Sequence, residues 1–182
     1  MLSKYINEID KLYKDDKKKL RTGTTLYGHL FDNRWQTKIH CPLPGEDLTK
    51  LENEFGTLPN VYKELLQVTN GCYLFDLINI AGKQDGYKGL SHEEMVNTPT
   101  PIRRIVPLSI WEKANKNNLF VFATSMVNES FYVVDSLSGK VQEIKFKRFK
   151  TVQEYKNLEE LLYKILVEGK ELVDSGTYID FY

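Results

Sequence analysis

The sequence predicts an α+β fold, a mostly antiparallel sheet flanked by helices. Apolar residues recur with a helical period near both ends of the chain and again between positions 46 and 70. Between 72 and 146 the chain turns instead to β-branched and aromatic runs separated by short turn signals.

Taken in order, residues 2–14 place Leu2, Tyr5, Ile6, Ile9, Leu12 and Tyr13 on one face of an amphipathic helix. The charged run 15–19 breaks that pattern and reads as an exposed connection. Residues 24–31 are β-rich, and the Cys-Pro-Leu-Pro-Gly stretch at 41–45 is a breaker. Residues 1–44 are therefore expected as a helix and extension packed on a main domain spanning 45–182. Glu46 and Asp47 bring negative charge to a helix start, with Leu48, Leu51 and Phe55 as its stripe and Gly56 as its stop. Pro59 opens a second helix, which buries Tyr62, Leu65 and Leu66 and ends at Asn70-Gly71.

Strand composition follows at 73–80. Residues 82–104 read as a long loop holding a short helix at 91–96, since Ser91 and Glu94 have capping-box spacing. Further strands are expected at 119–123, 130–135 and 141–146, the last two joined by a glycine-containing turn at 136–140. A closing helix at 157–168 carries Leu158, Leu161, Leu162, Ile165 and Leu166, with Gly169 after it.

Composition narrows the function classes. The chain has 182 residues, enough for one full core. Its apolar runs are far shorter than the roughly 20 residues that span a bilayer. No signal-peptide core is visible near the N-terminus, so a cytoplasmic location is expected. Two cysteines, Cys41 and Cys72, without CxxC spacing, read as reduced thiols. Twenty-five basic residues balance 25 acidic ones, which leaves no global field for nucleic acid or an anionic membrane.

Motifs that carry chemistry are missing. No glycine-rich phosphate loop occurs, and His29, His40 and His92 are too scattered for a metal-binding helix. His40 beside Cys41 reads as a strand-end histidine and a small thiol, because sequence neighbours rarely orient as nucleophile and base. Adjacent Glu93 and Glu94 diverge by about 100° on a helix and make a poor acid–base couple. The segment 145–150 alternates lysine with apolar residues and reads as a solvated strand whose aromatics face inward. Neither a catalytic residue nor a metal or other cofactor is expected.

The stretch 51–71, with its Leu58-Pro59 turn, Tyr62-Lys63 and Asn70-Gly71, resembles the N-terminal motif of the SUKH superfamily, the Smi/Knr-like domains. The resemblance continues through Leu74-Phe75, Trp111, residues 119–123, the hairpin from Phe131 to Val141, and Leu161-Leu162. It covers about residues 46–168. Residues 1–44 and the segment 82–104 have no counterpart in it, and the turn 125–129 lacks the glycines often found there.

This resemblance implies a non-enzymatic binding role and no shared catalytic centre. Many such proteins are bacterial immunity proteins that neutralise polymorphic toxins, often nucleases, by direct contact. The fungal relatives act as housekeeping scaffolds through protein partners. The expected partner is therefore a protein, with a cognate toxin first, and neither nucleic acid nor membrane. Trp111, Tyr87, Arg103 and Arg104 are candidate contacts, since Trp, Tyr and Arg dominate interface hot spots. Asp85, Glu93 and Glu94 join them as carboxylates suited to the cationic groove of a nuclease.

Overall fold

A computed structural model of the chain describes residues 2–179 and 181. Among these, nine strands form one sheet, in the order β1-β2-β3-β4-β5-β6-β7-β8-β9, every neighbouring pair antiparallel. Helix α1 (Leu2–Leu12) precedes β1 (Lys17–Lys19), β2 (Thr25–His29) and β3 (Trp35–Ile39). Helices α2 (Gly45–Phe55) and α3 (Asn60–Val68) lead into β4 (Cys72–Leu74) and β5 (Ile78–Ile80). Then come α4 (His92–Val96), a 3₁₀ turn (Ile102–Arg104) and α5 (Leu108–Lys116). Strands β6 (Leu119–Ser125), β7 (Ser130–Asp135), β8 (Val141–Lys145) and β9 (Lys150–Tyr155) follow, and α6 (Leu158–Asp174) closes the fold. The class is α+β, as expected.

The helical stripes bury as their spacing requires. Leu158, Leu161, Leu162, Ile165 and Leu166 of α6 are all in the core, and Asn157 caps the helix by accepting from the Glu160 N–H at 3.0 Å. Tyr62 of α3 is fully enclosed between Phe120 and Phe122 of β6, and its hydroxyl donates to the Ala81 carbonyl at 2.7 Å. That bond satisfies the only polar atom the ring carries into the core.

Five local expectations change. The charged run after α1 is not a free connection: Lys17–Lys19 pairs with β2 as the sheet's first edge, and its lysines guard an exposed rim. Segment 1–44 supplies three strands to the common sheet, since β3 pairs with β4 through Lys38↔Tyr73 and Ile39↔Cys72. The run 73–80 is two strands around a turn at Phe75 and Asp76, both left-handed with φ 55° and 59°.

Gly169 does not stop α6, because a Cβ there would lie 2.2 Å from the Phe75 ring; the glycine lets helix and ring meet. The basic segment 145–150 is the turn between β8 and β9, with Arg148 at φ 70° and Phe149 at φ 51°. Its two aromatics do face inward, both rings lying against Phe131 at 5.1 and 5.6 Å.

Candidate functional site

The strand pairings give the sheet two ends. Turns 30–34, 75–77, 126–129 and 146–149 lie at one end; segment 82–104 leaves β5 at the other, where α5 also runs into β6. The segment is tied at its neck. Gly82 donates to the Thr100 carbonyl at 2.9 Å and forms a parallel bridge with Pro101. Asn79 donates to the Thr100 hydroxyl at 3.0 Å. Asn70 clamps Lys83 from both sides, its amide nitrogen donating to the Lys83 carbonyl and its oxygen accepting from the Lys83 N–H, each at 2.7 Å. Asn70-Gly71 is thus an anchor rather than a helix cap: α3 ends at Thr69 in extended conformation, and Gly71, at φ 74°, would bring a Cβ to 2.7 Å from the Ile80 carbonyl.

Two groups of candidates gather above this neck. In the first, Trp111 of α5 is half-buried between Phe55 (5.8 Å) and Phe120 (6.0 Å, edge-on). The Arg103 guanidinium lies 4.9 Å over the outer face of Phe55, and its Nε donates to Glu54 at 2.8 Å. Arg104 is exposed beside it, and the group borders a cleft of about 280 Å³ that also takes in Lys83 and Gln84. The Trp111 indole N–H is enclosed and has no hydrogen-bond partner among the described residues.

The second group holds Asp85, Tyr87, Glu93 and Glu94. Tyr87 is exposed and accepts from Gln84. Asp85 is exposed and bonded to Lys83, and Lys18 reaches both Glu93 oxygens at 2.7 and 2.8 Å. Glu94 is buried. It accepts from the Ser91 N–H at 2.8 Å, closing the capping box, and from Arg21 at 3.0 and 3.1 Å. Arg21 above all, with the Ser91 N–H, holds its carboxyl at about 2. Glu94 therefore leaves the set of partner contacts: its side chain is committed to the start of α4.

Each candidate carboxylate has a cation of its own, so the acidic surface expected here is cancelled locally. Lys83 lines this cleft and a second one of about 190 Å³ beside Asp85 and Gly86, and so joins the two groups, bonding Asp85 and reaching Asp47 at 3.6 Å. Phe55, Glu54, Lys18, Arg21 and Lys83 were not legible as site residues. Phe55 reads as one more residue of a helical stripe, and the ion pairs of Lys18 and Arg21 bridge 75 and 73 positions.

Of the remaining chemistry-bearing groups, His40 and Cys72 are enclosed by the fold. His40 is buried with Nδ1 3.1 Å from the Thr24 hydroxyl, and burial pushes it down to about 3, so it stays neutral. Cys41 next to it is exposed, whereas Cys72 is buried and pushed up to about 12; both are free thiols. Among the described residues, no three His, Cys, Asp or Glu side chains converge as a metal site requires. No helix among them is long and apolar enough to cross a membrane.

Comparison with curated proteins and with solved structures gives no match. The family model described as SMI1 / KNR4 family (SUKH-1) matches residues 42–164, from the end of β3 into α6, and includes the whole face just described apart from Lys18 and Arg21. The chain belongs to the SMI1/KNR4 family, SUKH-1.

Proposed function

We propose that the chain is a non-enzymatic binding protein of the immunity type, which neutralises a protein toxin by stoichiometric contact in the cytoplasm. The contact surface is the face built by segment 82–104, the 3₁₀ turn and α5. One observation carries this reading: an exposed Arg103 stacked on Phe55, which is backed in turn by Trp111. An arginine held over a ring and bonded to Glu54 loses less freedom on binding, and such anchors dominate interface energetics. Tyr87 and Arg104 extend the same face.

Because Asp85, Glu93 and Glu94 are already paired, this face recognises a partner by shape and by its aromatic–arginine anchor more than by long-range attraction. Association is then expected to depend weakly on salt. The experiment is co-expression with toxins encoded by neighbouring genes, scoring survival and recovery of a complex. Arg103→Ala combined with Tyr87→Ala is expected to weaken the complex about a hundredfold or more. If no toxin is neutralised and no complex forms, the immunity reading falls. If the double variant protects as well as the wild type, the assigned face is wrong.

A further inference from the structure

At the opposite end of the sheet stands a charged surface of a different kind. Lys145, Lys147, Arg148 and Lys150 surround the β8–β9 turn, and the Lys113 ammonium sits 4.5 Å above the Phe149 ring at the same place. Among the described residues none of these five cations has a carboxylate within 4.0 Å. Lys145 and Lys150 are direct cross-strand partners, a like-charge pairing that disfavours the hairpin. Arg148 and Phe149 are consecutive left-handed residues without a glycine or asparagine to relieve them. Apart from its inward-packed rings, this turn gathers charge repulsion and backbone strain at one spot, and such features concentrate where something binds.

We infer that this turn is a second docking surface, and that its occupant is an acidic protein segment carrying apolar side chains. Positive charge sets the sign of the ligand, and two further observations set its class. Phe146 and Phe149 both face Phe131 and leave no exposed ring on which a nucleobase could stack. The adjoining β6–β7 turn is fastened to this one by the Phe146 N–H donating to the Glu129 carbonyl at 3.1 Å. It presents Val127, 48% exposed, beside the cations. It also presents the exposed Glu129 side chain, which repels a uniform polyanion. An apolar contact flanked by cations and one carboxylate fits a mixed Glu/Leu segment better than a phosphate backbone. The surface adjoins the 82–104 face through α5, which carries Lys113, but its occupant does not depend on the toxin reading.

The test titrates the full chain with three probes: a short synthetic peptide of alternating Glu and Leu, a single-stranded oligonucleotide of equal charge, and phosphatidylserine vesicles. Binding is read by amide chemical shifts. The expected result is saturable binding of the peptide, with shifts confined to 113, 126–129 and 145–150. Lys147→Glu with Arg148→Glu should weaken it about tenfold, and a Lys/Leu peptide should then bind the reversed variant. Both positions are exposed, and matching thermal melts of variant and wild type guard against a folding artefact. Tighter binding of the oligonucleotide or the vesicles at this turn overturns the assignment to protein. Absence of peptide binding, or shifts located elsewhere, overturns the site.

Discussion

The two ends of the sheet handle charge in opposite ways. Where segment 82–104 emerges, Asp85, Glu93 and Glu94 each meet a cation, two of them delivered from before β2. Around the β8–β9 turn five cations stand without such partners among the described residues, two of them directly opposed across the hairpin. A formal net charge of zero hides this difference completely. Local pairing, not composition, decides whether a surface projects a field, so the first end suits contact by shape and the second contact by attraction.

Substitutions at the two ends can break or sharpen this contrast. The largest effect is expected at the neck. Gly82→Ala places a Cβ 2.2 Å from the Asn70 carbonyl oxygen and should lower unfolding free energy by about 3 kcal/mol in urea titration. Gly86→Ala, with nothing within 4 Å, should stay within about 0.5 kcal/mol. Equal losses at both positions would mean that the neck does not carry the loop.

Next in size is Trp111. Truncation to Ala removes a half-buried ring from between Phe55 and Phe120 and should cost about 2–3 kcal/mol. Trp111→Phe should cost under about 1 kcal/mol, because it also removes an enclosed N–H that has no acceptor among the described residues. A Phe variant as damaged as Ala would show that the indole nitrogen does have a partner.

His40 adds a pH dependence. Its folded value of about 3 lies below the ordinary 6.5, so the unfolded chain takes up a proton that the folded one refuses. Stability is complete above about 6.5 and falls as the solution is acidified toward 3, by up to about 1.4 kcal/mol per pH unit. In His40→Gln that slope should flatten between pH 6.5 and 4.

The smallest effect should have the opposite sign and lie at the other end. Arg148→Gly relieves a left-handed residue and one charge, and should stabilise the chain by about 0.5–1 kcal/mol while weakening capture of an acidic peptide. Destabilisation by this change would mean that the turn is not strained.

These contrasts show why parts of the molecule were legible and others were not. The stripes of α3 and α6 and the Ser91–Glu94 box depend on spacings within a turn or two, and local spacing is what a sequence displays. The turns at Phe75-Asp76 and Arg148-Phe149 adopt positive φ, and of these four residues only Asp76 is of a type that favours it. Strand β1 consists of three lysines, so its pairing is invisible to any apolar pattern. Gly169 looks like a stop and is a contact, a distinction that only the position of Phe75 makes. At the candidate site, Trp111 and Arg103 stood out by residue type. Phe55, the ring that joins them, did not, because the meeting of α2, α5 and the 3₁₀ turn is a tertiary fact.

The neck of segment 82–104 has an evolutionary consequence. Its two strands of backbone are fastened by Asn70, Asn79, Gly82, Thr100 and Pro101, so the intervening stretch behaves as a cassette clipped into a socket. The sequence within the cassette can vary while the socket keeps the scaffold constant. On the proposed immunity reading, a lineage facing a changing toxin exchanges specificity there without refolding the rest.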